Sequence, residues 1–555
     1  MDEETSQSEQ THLSGSLSDG DSTSDFDFGF ESSPAISDDR KFPTYPLKVV
    51  PGQEHLEYPE MDFRALSSVK DTQYLTHVLH KHPAIFIPQI PEYIIEQFSS
   101  VRNVKGEQTT VMDPFSGSGT TGVEAKIKGR NYLGVEINPL SKLVSEVSTS
   151  PVPHTVLDEV VTELTAHLER VDTSEKFEEY DVEFLDQTNK GHWFEESAQR
   201  ELTAVRKVIQ EFTDQFNPYE NLTRFEEEAI KEGSTSLLKK IKRWLVLMLA
   251  NAVYEVSNAD PGVSKAYKSP DIKEKISAGE HPQSAVSVYQ EELADSKDRL
   301  EDLWDAVYPE KDIDDLESNP RHQAKIDIRL ADAREFQYPE YSESVDLAIT
   351  SPPYINAMNY YRGTKLRLFW IYDLIEDEFE ADELRRSIVG TNASRISEAE
   401  IDLPGSLRDR WKGSTELFNA TSLPALDEDI EEIHEGHLTE ANRRAYTTWR
   451  FFAHDILRAL TRSYEHLKRG AHFFFIIGEN TISGRHISSH RYVADIAQNL
   501  GQFEGHGGNL ESDEGFNLIG FAWDEITNRD LFQGRDHGSG VIDCEWVVIL
   551  QKPTN

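Results

Sequence analysis

The chain has 555 residues, 100 of them acidic and 56 basic, which gives a formal charge of −44. Its 37% apolar and 10% aromatic residues suffice for at least one large core, and its length allows several domains. One cysteine, Cys544, excludes a disulfide framework and a Cys-based zinc site. The acidic excess is spread along the whole chain and reads as salt adaptation rather than as an acidic tail. In molar salt the screening length falls to about 3 Å, so self-repulsion loses its reach. The first thirty residues lack the basic and apolar regions of a secretory signal. The longest strongly apolar run, Trp244 to Val253, is about half the roughly 20 residues that cross a bilayer. The expectation is a soluble, cytoplasmic protein of a salt-loving cell.

In chain order, residues 1–40 are rich in Ser, Asp and Glu and too poor in core-forming residues to offset their ordering entropy. A disordered acidic tail is expected there, with Phe26, Phe28 and Phe30 as the one sharper alternative, a docking element. From residue 41 the composition becomes that of a folded domain. Pro83 to Pro91 is an extended, proline-punctuated entry to a helix over Glu92–Phe98. An apolar strand ends at Thr110-Val-Met-Asp113, a Gly-rich turn and a helix of small residues follow, and a second strand covers Tyr132–Glu136. That succession is the opening of a doubly wound α/β domain. Residues 151–320 read as charged, amphipathic helices; Glu280–Asn319 is polar enough to suggest an exposed helix pair or a partly mobile arm. Strands resume over Ala324–Leu330 and Val345–Thr350. A polar stretch at 376–440 carries Pro404, Gly405 and Pro424 and reads as a loop-rich insertion. A helix (445–467), a strand (Ala471–Ile477), a helix (490–500) and a last strand (Trp546–Leu550) close the chain. The fold class expected is α/β, Rossmann-like, with a mostly parallel sheet in three layers. One domain is then assembled from 41–150, 321–375 and 441–555, interrupted by a large helical insertion at 151–320 and by the insertion at 376–440.

Two segments carry chemistry. Asp113-Pro-Phe-Ser-Gly-Ser-Gly-Thr-Thr-Gly122 sits between a strand end and a helix start, where glycines allow tight turns and a ligand's close approach. It departs from G-x-G-x-x-G, and no Lys follows as in a P-loop, so a phosphate cradle is disfavoured. Glu136 ends the next strand, about 20 residues on, where an acid can accept from two ribose hydroxyls. Taken alone it is a surface carboxylate; paired with the loop, it reads as a nucleoside-binding acid. The second segment, Thr350-Ser-Pro-Pro-Tyr354, directly follows an apolar strand. Its prolines stiffen the turn and leave carbonyls without competing N–H groups. Ser351, a turn carbonyl and the Tyr354 ring suit a planar amine, offering acceptors for its protons and a wall for its ring. An ordinary proline turn accounts for that tetrapeptide equally well.

Together these motifs resemble the amino-methyltransferases of DNA, which use S-adenosylmethionine to methylate an exocyclic nitrogen. Tyr74-Leu-Thr-His-Val-Leu-His-Lys-His-Pro-Ala-Ile-Phe-Ile-Pro-Gln-Ile-Pro91 is similar to the family's N-terminal motif, which packs against the methionine end of the cofactor. The resemblance spans 74–140 and about 324–370, and continues more weakly through Leu467–Gly478 and the last strand. It implies a class I methyltransferase fold with S-adenosyl-L-methionine as cofactor. Asp113, Phe115, Gly117, Ser118, Gly119 and Thr120 would form the cofactor loop, and Glu136 would bind the ribose. Asp332 would contact the adenine amine, although a helix N-cap competes for it. Ser351, Pro352 through its carbonyl, Pro353 and Tyr354 would hold a flipped base. No metal is implied.

The sulfonium methyl is already activated, so positioning and in-line alignment of the amine are the main demands. Methylation at carbon 5 of cytosine needs a cysteine nucleophile, and Cys544 lies in the last strand, far from any proline-cysteine turn. The base must leave the duplex. In this family Ser before Pro-Pro-Tyr goes more often with cytosine N4, and Asp or Asn with adenine N6. N4-cytosine methylation of double-stranded DNA is therefore expected. An N6-adenine enzyme, an RNA methyltransferase and a non-catalytic nucleic-acid-binding subunit are the alternatives. No nuclease motif is visible, so a restriction endonuclease would be a separate chain. The helical insertion is a candidate for target recognition. Basic clusters at Lys239, Lys240, Lys242 and Arg243, at Lys265–Lys273, at Arg362, Lys365 and Arg367, and at Arg443, Arg444 and Arg450 around Trp449 are candidate DNA contacts. The 362–367 group is preferred for its nearness to the catalytic turn, whereas 239–243 taken alone reads as a solvated helix face. His77, His80 and His82 have metal-like spacing but read as core or loop histidines.

Overall fold

The computed structural model describes residues 47–50, 53–81, 87–170, 189–231, 235–260, 266–355, 360–390, 423–435, 441–503, 507–526 and 544–554. The acidic tail and the centre of the 376–440 stretch lie outside the described residues. Eleven strands are seen among the described residues: β1 (Leu47–Val50), β2 (Gln53–Pro59), β3 (Thr110–Asp113), β4 (Asn131–Glu136), β5 (Ile326–Leu330), β6 (Val345–Thr350), β7 (Leu467–Gly478), β8 (Asn480–Ile482), β9 (Arg485–Ile487), β10 (Asn517–Glu525) and β11 (Cys544–Gln551). Seven of them form one sheet in the order β10-β11-β7-β6-β3-β4-β5. β5, β4, β3, β6 and β7 run parallel; β11 is antiparallel to β7, and β10 to β11. This is the expected α/β, Rossmann-like, mostly parallel sheet.

The central strands β3 and β6 are short, largely apolar runs because both their faces are covered, leaving no solvent side to alternate toward, whereas the edge strand β5 is only half-buried. All four residues of β3 are buried, as is most of β6. The chain moves outward from β3 to β4 and β5, then returns to the other side of β3 as β6. The order therefore reverses between β3 and β6, and a crevice opens beyond the carboxyl ends of those strands.

Three features of the sheets were not anticipated from sequence: the edge strand β10, the β1–β2 hairpin and the β8–β9 hairpin. β10 is an edge strand whose pattern is broken by a register shift between Leu518 and Gly520. The β1–β2 hairpin is short and mostly polar, and it joins the sheet through β10: Met61 N donates to Trp523 O at 2.8 Å, and Trp523 Nε1 donates to Tyr58 O at 3.2 Å. The 445–467 helix carries a π-helical segment, Phe451–Ile456, between Ala441–Arg450 and Leu457–His466.

Between β4 and β5 the described chain is helical and builds its own core. The helix Leu237–Glu255 is buried on nearly every side from Trp244 to Tyr254, which explains its continuous apolar run. Its neighbours include Glu196–Gln215, Ala285–Val307 and, beyond β6, Tyr360–Ile371. No helix among the described residues is long and apolar enough to cross a membrane.

The expectation for Glu280–Asn319 is corrected here. Ala285–Val307 is a single 23-residue helix, not an exposed arm, and Val288, Tyr289, Leu293, Leu300, Leu303, Trp304 and Val307 are buried. Those apolar residues recur at helical spacing within a charged background, so overall polarity hid a narrow buried stripe. Trp244 Nε1 donates to Ser296 Oγ at 2.8 Å and fastens this helix to Leu237–Glu255. Leu300→Ala is expected to cost about 2–5 kcal/mol in urea unfolding, the ordinary penalty for a fully buried leucine; a mobile arm would show no change.

Candidate active site

The site is organised by one carboxylate. Asp113, the last residue of β3, is fully buried. Its Oδ1 accepts from Phe115 N at 2.9 Å and from the Thr350 hydroxyl at 2.7 Å, while Oδ2 accepts from the Thr121 hydroxyl at 2.9 Å. The loop, the helix Thr120–Ile127 and the tip of β6 are therefore tied to one side chain. Burial raises its pKa to about 6, against the pull of those three donors.

Around that anchor the loop needs its glycines. Gly117 and Gly119 have φ of +53° and +85°. A Cβ on Gly119 would lie 2.8 Å from Ser145 Cα, whereas one on Gly117 would have nothing nearer than Phe115 O at 3.8 Å. Glu136 lies across the loop. Its Oε2 accepts from Gly117 N at 2.8 Å and its Oε1 from Asn138 N at 2.7 Å. Each oxygen takes one backbone donor, leaving acceptor capacity on both. Burial lifts the Glu136 pKa to about 7.

A solvent-open cleft lies at this point, concave and lined by apolar walls with a few convergent polar groups, as small-molecule sites are. Phe115, Gly117, Ser118, Thr120, Glu136, Asp332, Ser351 and Pro353 all line it, so it gathers both sequence motifs and the intervening acid. Asp113 and Gly119 shape it from behind. Pro352 is buried. The Tyr354 hydroxyl donates to Glu545 Oε1 at 2.5 Å and lies 3.4 Å from Ser351 Oγ. Tyr74 and His77 pack behind the cavity, both hydrogen-bonded to the buried Glu124, and residues 82–86, His82 among them, lie outside the described residues.

Asp332 holds both positions weighed for it. It lines the cavity, and it also caps a turn by accepting from Arg334 N at 2.9 Å. Its two oxygens meet Arg334 Nε at 2.9 Å and Nη2 at 2.5 Å. Arg334 further donates to Asp455 Oδ1 at 2.7 Å and to Ser387 O at 2.8 Å. Burial alone would raise the Asp455 pKa, but Arg334, Arg450 and His454 hold it well below the carboxylate range.

Sequence reasoning missed Asn138, Ser141, Arg334 and the wall Ser387-Ile-Val389, which it assigned to a polar insertion. The signal available was Ser387-Ile-Val-Gly390, a short apolar run ending in glycine. Gly390 has φ +71°, and a Cβ there would lie 2.9 Å from Tyr354 O and 3.3 Å from Pro353 O. Only glycine lets this wall close on the Ser-Pro-Pro-Tyr turn.

The preferred DNA-contact cluster is corrected. Arg367 is buried, with its guanidinium 4.0 Å above the Tyr254 ring and Nη1 donating to Gly363 O at 2.8 Å. Lys365 lies 5.6 Å over the Trp193 ring. Arg367 faces the helical core, while Lys365, two residues earlier and so on another face of the helix, is half-buried at Trp193; closeness in sequence to the turn misled. In the 239–243 group, Lys239 pairs with Glu376, Arg243 with Glu146 and Glu376, and Lys240 donates to Pro151 O, its pKa lowered to about 8 by burial. Arg444 donates to Ser483 and Arg450 faces Asp455; the side chains of Arg362 and Arg443, and Lys265, are outside the described residues. His80 is buried and bonded to Asn251.

The loop geometry yields a contrast. Gly117→Ala should cost about 1–2 kcal/mol for its left-handed backbone alone, and Gly119→Ala distinctly more because Ser145 blocks the new methyl. Urea denaturation of the two variants measures the difference.

Comparison with known proteins finds similarity over parts of the chain. The DNA methylase family matches residues 36–144. The Type II methyltransferase M.MvaI of Kocuria varians is 26% identical over 327 residues, covering 58% of this chain and 63% of that protein. The Type II methyltransferase M.BsoBI of Geobacillus stearothermophilus is 24% identical over 371 residues, covering 66% and 63%. The Type II methyltransferase M.MjaII of Methanocaldococcus jannaschii is 34% identical over 88 residues, 16% of this chain and 15% of that protein. The matched part spans just under two thirds of the length of the first two relatives. The family match thus covers the Gly-rich loop and β4, and the two longer matches extend the similarity to Type II methyltransferases over 58% and 66% of this chain.

Proposed function

We propose that this chain transfers a methyl group from S-adenosylmethionine to the exocyclic amine of a flipped base in duplex DNA, with cytosine N4 as the target. The observation that carries the reading is the single cleft in which the Gly-rich loop, Glu136 and the Ser351-Pro-Pro-Tyr354 turn meet.

The residues present fit the cofactor. Glu136 keeps two acceptor sites for vicinal ribose hydroxyls, and Asp332 keeps lone pairs beside those used by Arg334. Phe115, Ile137, Ile388 and Val389 supply apolar walls for a purine. Asp113 and the glycines hold the loop back so that a ligand can approach its backbone. When bound, S-adenosylmethionine supplies an activated sulfonium methyl, so the protein's share of the work is alignment and exclusion of water.

Ser351 Oγ and the Pro352 carbonyl accept the amine's N–H protons and turn its lone pair out of conjugation, and the Tyr354 ring supports the base. Ser351 as the first residue of the turn favours cytosine over adenine. The assay is methyl transfer from labelled cofactor to duplex DNA in high potassium salt, chosen because the charge of −44 suits a salt-rich cell, with product nucleosides separated. N4-methylcytosine is the expected product. N6-methyladenine would change the base and keep the enzyme; label in RNA alone, or none with cofactor bound, would favour the RNA or non-catalytic alternatives. A restriction endonuclease acting with it would be a separate chain.

Three variants bear on the roles. Ser351→Ala combined with Tyr354→Ala should abolish transfer while cofactor binding survives, read by isothermal calorimetry; unchanged turnover would remove the turn from the mechanism. Cofactor affinity should weaken as pH falls below about 7, because a protonated Glu136 loses acceptor capacity. Glu136→Ala should lose about 3 kcal/mol, on the order of 100-fold in Kd, and Glu136→Gln should flatten the pH dependence.

A further inference from the structure

The last strand reaches the site from the opposite direction. Because β11 runs antiparallel to β7, its first residues lie at the edge where the parallel strands end, and Glu545 pairs with Gly478, the last residue of β7. From there Glu545 accepts the Tyr354 hydroxyl at 2.5 Å, and Tyr354 Oη lies 3.4 Å from Ser351 Oγ on the cavity wall. Three oxygens thus run from the cavity to a carboxylate.

Methyl transfer to a neutral amine leaves one proton to dispose of. The nitrogen lone pair forms the N–C bond, the C–S electron pair departs with sulfur as a thioether, and the nitrogen carries an excess proton. Two hydroxyls can pass a proton on but not keep it; a carboxylate can. We propose that Glu545 is the terminal acceptor of that proton, which moves from the amine to Ser351 Oγ while the Ser351 proton passes to Tyr354 Oη and the Tyr354 proton to Glu545. Glu545 acts through Tyr354 and Ser351 and is in that sense a positioning residue. The proposal rests on the function proposed above.

The charges facing Glu545 suit the role. Arg64, in the short helix Phe63–Leu66, draws it toward the ionised form. Asp524 pairs with it across β10, and burial with the nearby Glu545 pushes Asp524 up to about 8, so it carries its proton at neutral pH; Asp62 adds to that effect. Beyond Gly478 on β7, Glu479 is engaged by His486 and His490, and His490 stacks on Trp546. Burial raises the Glu545 pKa above the ordinary carboxylate value, which suits a group that must take a proton near neutral pH.

The test is single-turnover methyl transfer across pH for the wild type, Glu545→Gln and Tyr354→Phe. The wild-type rate should fall on the acid side as Glu545 protonates. Each variant should transfer on the order of 100-fold more slowly and lose that acid limb, with cofactor Kd within about twofold. Glutamine still accepts the Tyr354 hydroxyl, so a purely structural tether would keep both rate and limb; that result overturns the proposal, as does a slower variant with the wild-type limb. If Glu545→Gln fails to fold, Tyr354→Phe decides alone, since it removes only a hydroxyl. In the protein without cofactor, infrared titration should show a carboxylic acid C=O band that Glu545→Gln removes and Tyr354→Phe shifts to higher pH; no shift overturns the relay. A wild type that methylates no nucleic acid removes the proposed function, and the relay with it.

Discussion

Everything at the mouth of the sheet depends on how Asp113 is satisfied. A buried carboxylate that accepts three hydrogen bonds cannot move without breaking them in a poorly solvating interior. The three donors come from its own loop, from the following helix and from β6, which lies more than two hundred residues away in sequence. The Gly-rich loop and the Ser-Pro-Pro-Tyr turn are therefore held at a fixed separation by one side chain. Neither glycine spacing nor proline stiffness would set that separation unaided.

A similar economy of charge marks the helical region. Cations are scarce in this chain, and several of those described are committed inside it. Lys142 bridges Glu146 and Asp377, Arg243 bridges Glu146 and Glu376, and Arg206 clasps Asp373 at 2.8 Å. These pairs bind the helices before β5 to the segment after β6, so the sheet's middle strands are flanked by one continuous body. The Lys142–Glu146 and Arg243–Glu146 pairs are well covered on both sides and are screened less by salt than surface pairs are, whereas Asp373 and Glu376 stay nearly half exposed.

The legible parts of the sequence were those whose chemistry is local. The runs at β3, β4 and β6 announce strands because a doubly covered strand has only apolar neighbours. Asp113, the glycines and Ser-Pro-Pro-Tyr announce a site because few backbones need that combination. Less legible were features set by distant partners. Arg334 looks like any surface arginine until Asp332, Asp455 and Ser387 are seen around it. Glu545 reads as a polar residue at a strand start, and only the antiparallel entry of β11 brings it under Tyr354. Arg367 erred the other way, since a cation in the middle of the helix Tyr360–Ile371 looks exposed until Tyr254 is found beneath it. The polar character of Ala285–Val307 concealed a buried stripe for the same reason: composition averages over faces that packing distinguishes.

The wall at Ser387–Gly390 touches both halves of the cleft. Arg334 holds its Ser387 carbonyl together with Asp332, while Gly390 rests against the carbonyls of Pro353 and Tyr354. A ligand that presses on Asp332 and one that presses on the turn thus act on the same short piece of backbone. Wherever such a shared element favours one arrangement, linkage requires the effect to be mutual. Whatever factor an occupant of the Asp332 side applies to affinity on the turn side, the turn side returns in equal measure. The order in which the two occupants arrive then changes the route but not the total free energy of the filled cleft.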